Sequence, residues 1–445
     1  MNAPAQPQDL AIDLRQLVMT IANTVDLVGV DDLLHGRRVG MLARDLARQL
    51  GLDEKAQVLL YDAGLLHDCG VASSCAHPRL LRDLEWPGAE AHCIRGEELL
   101  RDFAPLANLA PLISYHHSRW DWLEKQNLPP DVARFANVIF LADRIDALLG
   151  PFHGDQGAVA HAGEIRARLA AARGRLFAPD LVDAFLEQSE GDGFWLALQP
   201  DAVRQYQTEM EAFRDLWLVS WQEFKRCTDI FARILDAKSP YTEQHSRGVS
   251  LLARHLAGRM GLDAVTCERI EVAGLLHDIG KLQIPGEIIE ANGALSADEL
   301  ELMKTHSRGT FEVLQRLHAI EEIARWASYH HETPDGQGYP FHVAGDALPL
   351  EARIINVADV FQALAQDRPY HRPLEPAEIL AILKDRVANG KADASVRHER
   401  AAFQLTLTPR TAGAKVVALK LRFALCTDAT CEPRKHAVDL KLDVK

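Results

Sequence analysis

The sequence has no long hydrophobic run and no leader-like N-terminus. No stretch of the 445 residues approaches the roughly 18 apolar residues of a membrane-spanning helix. The first ten residues, MNAPAQPQDL, lack the basic segment followed by an apolar one that is typical of a secretory signal. We therefore expect no membrane association and a cytoplasmic location.

Positive charge is also scarce. Lys and Arg number 49 against 63 Asp and Glu, which gives a formal net charge of −14. Nucleic-acid polymers and anionic membrane surfaces are bound by a surplus of basic side chains, so neither is expected as a partner. A local cationic site for a small anion stays open. The seven cysteines are odd in number and mostly scattered, which favours a reducing compartment.

What the chain does have is a repeated set of histidines and aspartates. Ten of the 19 histidines fall into two sets, whose members correspond at offsets of 210 to 216 residues. A repeat of this length indicates two homologous domains and not the short units of a solenoid. Residues 43–53 also align without gaps onto 253–263, and residues 64–68 onto 274–278. The first set is His35, His67, Asp68, His92, His116, His117 and Asp143, and the second is His245, His277, Asp278, His306, His330, His331 and Asp359.

Hydrophobic periodicity predicts a mainly α fold. Val39, Leu42 and Leu46, for example, form one apolar stripe in a helix predicted over residues 35–52. A second periodic run from Tyr206 to Leu235 predicts one long linker helix. We predict two tandem helical domains at residues 1–198 and 237–398, a linker helix at 199–236, and a short C-terminal β extension at 399–445.

Two tryptophans, Trp217 and Trp221, lie within the predicted linker helix. They favour simple packing between the halves of the chain, and a dimer or interdomain helix is the alternative.

The C-terminal extension alternates apolar and polar residues with the period of a β-strand. The alternation covers residues 403–407, 419–425 and 438–444, with Pro409, Gly413 and Pro433 between them, and predicts two or three short antiparallel strands. Cys426 and Cys431 flank the last loop. Reduced structural thiols are favoured there, and a disulfide or thiol switch is the alternative.

The second set carries the chemistry of a metal site. Five imidazoles and two carboxylates exceed what one ion needs, which favours a binuclear site. Mixed nitrogen and oxygen ligands suit iron, manganese or zinc, and the residues do not separate these metals. Two ions about 3.5 to 4 Å apart activate a bridging hydroxide and hold the oxygens of a phosphoryl group during displacement.

Two longer motifs in the second half resemble a known family. The segment HDIGK at 277–281 and the segment HHETPDGQGYP at 330–340 are similar to those of the HD-GYP phosphodiesterases, a branch of the HD superfamily of metal-dependent phosphohydrolases. The resemblance extends from about Tyr241 to Asp393. It implies that both predicted domains are of HD type, the first one divergent.

The resemblance also implies an activity in bacterial second-messenger signalling. The expected reaction is hydrolysis of cyclic di-GMP to linear pGpG, with GMP as a further product, by a metal-bridging hydroxide. It implies a binuclear centre of iron or manganese, held by the whole second set, and catalytic roles for Asp278 and Lys281. Lys281 would neutralise a phosphate oxygen in the transition state. The implied substrate-binding residues are Lys281, Gly338, Tyr339, Pro340 and Arg368.

Three positions of the second copy depart from the family pattern. Tyr241 stands where members with a third metal carry glutamate, so we expect two ions. Gln362 and His371 replace an aspartate and a basic residue near the substrate, which makes cyclic GMP-AMP the alternative substrate. A non-catalytic module that senses cyclic dinucleotides and docks diguanylate cyclases or other signalling proteins is the second alternative. A homodimer is a further candidate assembly.

The first copy keeps all seven ligand types but loses the groups that handle the nucleotide. The lysine of HDIGK is replaced by Val71, the GYP loop by residues 122–125, and the arginine by Phe152. Cyclic di-GMP hydrolysis is therefore not expected there. A metal site that serves as a sensor, or a hydrolase for another phosphate, is favoured over a relic that acts as a regulatory or dimerising lid. Asp31 precedes the first histidine by four residues, and Cys69 is most simply a small buried residue.

Overall fold

The protein is represented by a computed structural model. Several predicted positions lie outside the described residues, namely Asp31, Tyr241, Arg368, His371 and the segment 403–407. The described residues are 10–26, 34–71, 84–85, 88–152, 157–212, 215–238, 242–289, 291, 293, 295–366, 373–392, 413–426 and 431–444.

The described part of the chain is mainly α-helical, which confirms the predicted fold class. In that part, no helix has the combination of length and apolarity that spanning a bilayer requires. The helices are α1 (Leu14–Asp26), α2 (His35–Gln49), α3 (Glu54–Leu66), α4 (Glu90–Leu100), α5 (Ala110–Tyr115), α6 (Trp120–Leu123), α7 (Pro130–Leu149), α8 (Gly157–Ala170), α9 (Pro179–Gln188), α10 (Asp192–Leu196), α11 (Pro200–Glu211), α12 (Trp221–Lys238), α13 (Thr242–Arg259), α14 (Ala264–Leu276), α15 (Gly286–Ile289), α16 (Ala297–Leu314), α17 (Glu321–Ser328), α18 (Leu350–Ala365) and α19 (Pro376–Ala388). The strands are β1 (Leu10–Asp13), β2 (Leu216–Val219), β3 (Gly413–Cys426) and β4 (Cys431–Val444).

The chain divides into two compact units. The first contains the whole N-terminal copy of the repeat together with part of the second copy. The domain boundaries at residues 198, 236 and 398 stay a prediction. The first unit is Met1–Glu243, Leu275–Ala291 and Leu295–Arg325, and the second is Gln244–Gly274, Asn292–Ala294 and Trp326–Lys445.

The repeat is visible in how its helices end and begin. In the first copy Gly51 has a φ of +71°, a conformation that glycine adopts without strain, and it terminates α2. The amide of Leu52 then donates to the carbonyl of Ala47 at 3.0 Å. Asp53 caps α3 by accepting from the amide of Ala56 at 2.8 Å. The second copy repeats these features with Gly261 at a φ of +85°, Leu262 donating to Ala257 at 3.1 Å, and Asp263 accepting from Thr266 at 3.0 Å.

Small residues bring paired helices of the repeat close together. A Cβ at Gly64 on α3 would lie 2.6 Å from the Cα of Gly40 on α2, so the two backbones are in direct contact. The corresponding position in the second copy is Gly274, where a Cβ would lie 2.9 Å from the Cα of Ser250. Because the helix that carries each glycine ends directly before the His-Asp pair, this contact helps to position those two ligands.

The predicted single linker helix over residues 199–236 is wrong. The run is divided into α11, β2 and α12, and β2 pairs antiparallel with β1, with Leu10 opposite Val219. The apolar segment LWLV forms a strand because pairing with β1 outweighs its helical periodicity. Ser220 and Glu223 then form a capping box that starts α12. Trp217 consequently lies in the strand and is 41% exposed, whereas Trp221 is buried.

The C-terminal extension is a two-stranded antiparallel sheet, which confirms the predicted antiparallel strands. Its strands are longer than expected, because β3 and β4 each contain 14 residues. Pro433 does not separate strands but lies within β4, opposite Ala424. Cys426 and Cys431 are opposite one another at the end of the ladder.

Candidate metal centres

The seven residues of the first set lie in the first unit, around α7. This helix is buried along almost its whole length, and it carries Asp143. Because the other residues come from four more helices or their ends, the packing of five helices determines the geometry of the cluster. His35 begins α2, His67 and Asp68 follow α3, His92 lies in α4, and His116 and His117 follow α5.

One group of this cluster contains His35, His67 and Asp143, whose ligand atoms lie within 4.8 Å of one another. The Nε2 atoms of His35 and His67 are 3.3 Å apart. Oδ1 of Asp143 lies 3.6 Å from Nε2 of His35 and 3.9 Å from Nε2 of His67. Two ligands at about 2.1 Å from one ion are separated by about 3 to 3.5 Å, so these nitrogens have the spacing of co-ligands.

The second group contains Asp68, His92, His116 and His117. The Nε2 atoms of His92 and His116 are 3.2 Å apart, and Oδ1 of Asp68 lies 3.3 Å from Nε2 of His92. The other oxygen of Asp68, Oδ2, lies 3.4 Å from Nε2 of His67 in the first group. The Asp68 carboxylate therefore faces both groups, as a bridging ligand does.

The Nδ1 atoms of two of these histidines already make hydrogen bonds to backbone carbonyls. Nδ1 of His67 is 2.8 Å from the carbonyl of Gly64, and Nδ1 of His116 is 2.7 Å from the carbonyl of Ile113. A carbonyl only accepts, so each Nδ1 carries a proton and each Nε2 is turned toward the cluster. Nε2 atoms at the distances above have the spacing of ligands that share one cation. The donor set therefore fits two divalent ions.

Burial and neighbouring charges adjust these groups for ligation. Burial lowers the pKa values of His116 and His117 well below their usual range, so both are neutral. Burial also lowers the pKa of His67, but the Asp68 and Asp143 carboxylates raise it more, to about 9. The carboxylates thus stabilise positive charge at this position, which is the environment a metal cation requires.

Part of the second set lies in the first unit. Oδ2 of Asp278 is 3.3 Å from Nε2 of His277, and Oδ1 is 3.4 Å from Nε2 of His306. The Lys281 ammonium lies 2.5 Å from Oδ2 of Asp278. Burial and the Lys281 charge lower the pKa of His306 to about 4, against the opposing effect of Asp278. This arrangement of His-Asp pair and third histidine repeats that of His67, Asp68 and His92.

Glycine and threonine hold this part in place. A Cβ at Gly280 would lie 1.9 Å from the carbonyl oxygen of His306, so the chain after the His-Asp pair runs against α16. Thr310 on α16 accepts from the Gly280 amide at 3.0 Å and donates to the carbonyl of His277 at 2.8 Å. In the first copy a Cβ at Gly70 would lie 2.0 Å from the carbonyl oxygen of His92.

The remaining second-set residues lie in the second unit. Nε2 of His245 on α13 is 3.0 Å from Oδ1 of Asp359 on α18, and Nδ1 of His331 is 4.0 Å from Oδ2 of the same carboxylate. His330 is buried, and its Nδ1 lies 2.6 Å from the carbonyl of Ala327. That contact spans three residues, as the His116 contact does in the first copy.

The GYP loop follows the two histidines and folds back against them. A Cβ at Gly338 would lie 2.5 Å from the Cα of Glu332, so only glycine fits there. The ring of Tyr339 lies 4.8 Å from the ring of His331, inclined by 35°. The loop therefore presents its tyrosine beside a predicted ligand.

Glu332 is a functional candidate that the sequence reasoning missed. Its side chain is buried, and its carboxylate accepts from the amides of Phe341, His342 and Val343 at 2.6, 3.1 and 3.0 Å. These bonds hold the chain immediately after Pro340. The sequence signal was its place directly after the paired histidines.

Among its described residues, the first copy has no equivalent of this loop. Residues 120–123 form α6, and Trp122 is 45% exposed. Val71, which replaces the lysine, is buried and clusters with Ala89. In the part of the chain that the structure describes, the two copies thus share the ligands but not their surroundings.

Known proteins share this arrangement of two domains. A family model described as HD domain matches residues 33–148, and another of the same description matches residues 229–396. The chain is 36% identical over 406 residues to the 3′3′-cGAMP-specific phosphodiesterase 1 of Vibrio cholerae, covering 89% of this chain and 94% of that protein. It is 40% identical over 154 residues to the cyclic di-GMP phosphodiesterase response regulator RpfG of Xanthomonas campestris, covering 34% of this chain and 41% of that protein.

A solved structure shares the fold. The crystal structure of a cyclic GMP-AMP specific phosphodiesterase of V. cholerae, V-cGAP3, matches with a TM-score of 0.59 at 22% identity and covers 87% of this chain and 96% of that one. The chain therefore belongs to the HD-GYP phosphodiesterases of the HD-domain family, and a second, divergent HD domain precedes its HD-GYP domain.

Proposed function

We propose that this chain is a metal-dependent phosphodiesterase whose preferred substrate is 3′3′-cyclic GMP-AMP, which it opens to a linear dinucleotide. The observation that carries the proposal is similarity along 89% of the chain to a phosphodiesterase named for that substrate. The sequence motifs favoured cyclic di-GMP, and the relatives favour the alternative. Cyclic di-GMP is kept as the second candidate because a relative named for it is 40% identical over 154 residues.

The catalytic domain in this proposal spans residues 237–398, and the whole second set binds two divalent ions, with iron or manganese as the first candidates. The fully described first set supports this assignment, because its seven corresponding residues form two ligand groups around a shared aspartate. Bound ions would supply Lewis acidity and would lower the pKa of water to provide a nucleophile at neutral pH.

Asp278 and Lys281 are the proposed catalytic pair. Burial would raise the pKa of Asp278, but His277 and Lys281 together hold it well below its usual range, so the carboxylate is ionised and able to bridge two ions. The Lys281 side chain remains 20% exposed while it contacts this carboxylate. The contact and the exposure support the proposed role of its ammonium, which is to neutralise a non-bridging oxygen of the scissile phosphate, where negative charge increases during displacement.

The loop residues have a different proposed role. Tyr339 supplies an aromatic face for a base, and Gly338 and Pro340 shape the loop that carries it. Arg368, outside the described residues, is proposed to contact the second phosphate. None of these groups transfers a proton, so their loss should raise KM more than it lowers kcat.

The test compares the two cyclic dinucleotides on metal-loaded, full-length protein. We expect kcat/KM for 3′3′-cyclic GMP-AMP to exceed that for cyclic di-GMP by at least about tenfold, a ratio that differential contacts to one base can provide. Chromatography of the products distinguishes linear dinucleotide from mononucleotides. The reverse preference would reject the proposed substrate but keep the phosphodiesterase.

Variants test the mechanism. Lys281→Ala should lower kcat by about 10² to 10³ while metal content is unchanged. Lys304→Ala is the matched control, because Lys304 is a surface residue of α16 paired with Glu301.

Binding of either dinucleotide without turnover by metal-replete wild-type protein would instead support the sensing and docking module.

A further inference from the structure

The first copy combines a complete ligand set with the loss of the groups that handle a nucleotide. None of its seven ligand side chains exposes more than 12% of its surface. All seven lie in one unit of the structure. Val71, at the position of Lys281 in the second copy, forms a buried apolar pair with Ala89.

We propose that the N-terminal domain holds its own binuclear divalent-metal centre, which stabilises that domain and does not hydrolyse cyclic dinucleotides. One ion is bound by His35, His67 and Asp143, and the other by His92, His116 and His117. Asp68 bridges the two, with Oδ2 toward the first ion and Oδ1 toward the second. Each ion thus has four protein ligands, a number that leaves room for water on a six-coordinate metal such as manganese or iron.

A metal-free polar core does not account for this cluster. Oδ1 of Asp68 is buried and accepts no hydrogen bond from the residues that the structure describes. The Nε2 atoms of His35 and His67 are 3.3 Å apart and those of His92 and His116 are 3.2 Å apart, which is the spacing of two ligands of one ion. A buried carboxylate oxygen without a donor is disfavoured, and a cation held between Asp68 and the neighbouring histidines satisfies it.

A second set of charged residues supports the ligands. Asp146 lies 2.7 Å from Nδ1 of His35, and the Arg38 guanidinium donates to the same carboxylate. Arg144 donates to Oδ2 of Asp143 at 2.7 Å and leaves Oδ1 directed at the histidines. Carboxylates that bond the outer nitrogen of a histidine ligand orient the ring and raise its basicity. These residues make the site specific for a cation. Among the described residues, no nucleotide-binding group remains near it.

The centre also joins five helices of the domain. Because a preformed metal site exists only in the folded state, ion binding contributes directly to folding stability. Metal loading should therefore stabilise the N-terminal domain even when the catalytic centre cannot bind metal.

The experiment counts ions in full-length protein that has been stripped with a chelator and reloaded with Mn²⁺ alone. Each variant removes one bridging aspartate, Asp68→Ala in the first copy and Asp278→Ala in the second. We expect about four ions per chain in wild type, about two in either variant and none in the double variant. The two ions left in Asp278→Ala should give the electron paramagnetic resonance signal of a spin-coupled manganese pair, and Mn²⁺ should raise its melting temperature.

Other outcomes overturn the proposal. The proposal is wrong if Asp278→Ala protein binds no manganese. It is also wrong if the wild-type chain and the Asp68→Ala chain each bind two ions. Circular dichroism reports whether each variant is folded. If either variant is unfolded, the wild-type count decides, because two ions instead of four contradict a second centre. Dinucleotide turnover is not measured here, so failure of the proposed substrate leaves this result unaffected.

Discussion

Replacement of Glu332 should weaken substrate binding without removing metal. The buried Glu332 carboxylate accepts three amide hydrogen bonds from the segment that follows the GYP loop, two at Oε1 and one at Oε2. Glu332→Ala leaves these amides without their acceptor. Glu332→Gln keeps an oxygen for the amides of Phe341 and His342 but turns an NH2 group toward the amide of Val343.

The magnitudes follow from these contacts. A hydrogen bond to a charged group contributes about 1.5 to 3 kcal/mol, so Glu332→Gln should destabilise the loop by about 2 kcal/mol. Glu332→Ala should destabilise it by about twice as much after water reaches some of the amides. If the ordered loop is what presents Tyr339, KM should rise by up to about 30-fold in the glutamine variant and by up to about 700-fold in the alanine variant, because each 1.4 kcal/mol is a tenfold change. Because Glu332 does not touch the reacting groups, kcat should fall far less.

The assay combines steady-state kinetics, metal counting and hydrogen exchange of peptides that cover residues 335–345. Glu312→Ala is the control, because Glu312 makes an exposed ion pair with Arg308 and such pairs contribute little. An alanine variant with wild-type KM and protected loop amides would refute the reasoning. Loss of metal with unchanged KM would instead assign Glu332 to the ligand shell.

Three further predictions follow from local geometry. Gly280→Ala should lower kcat/KM about 100-fold and reduce metal content, because its Cβ would lie 1.9 Å from a ligand's backbone and displace α16 by more than about 1 Å. The matched control for this substitution is Gly258→Ala, whose Cβ would meet Cys267 Sγ at 4.0 Å and which should be neutral or stabilising in thermal melting. Asp146→Asn should weaken manganese binding in the N-terminal domain about 10- to 100-fold, measured by chelator competition in Asp278→Ala protein. Ser296→Ala should remove the α16 capping box and destabilise the protein by about 1 kcal/mol in denaturant unfolding.

The helical repeat could be predicted because its signals are local. The apolar stripe of α2, the glycine that ends it and the aspartate that caps α3 occur within 20 residues, and they repeat in the second copy. The linker was predicted wrongly because strand β2 depends on pairing with β1, which lies about 200 residues away in the sequence. The capping box at Ser220 was a local signal that marked the start of α12 within that run.

The ligands were found from sequence, whereas the residues that position them were not. Histidine and aspartate are recognisable by type and by repeated spacing. Glu332, Thr310 and Asp146 act through bonds to backbone amides or to another side chain, and their residue types are common on helices. Only three-dimensional contacts separate these supporting residues from ordinary polar ones.

Gln362 shows how a comparison of the two copies changes an interpretation. Gln362 stands where the family pattern has an aspartate, and the corresponding residue of the first copy is the aspartate Asp146. Asp146 bonds Arg38 in the first copy, and the residue that corresponds to Arg38 in the second is Gly248. A Cβ at Gly248 would lie 2.4 Å from the Gln362 amide, so the glutamine fills the space that an arginine would take. The two copies therefore differ at both positions of this pair, and a partly buried aspartate at position 362 would lack the arginine that Asp146 has. It follows that Gln362→Asp alone should destabilise the catalytic domain and should not restore the family pattern.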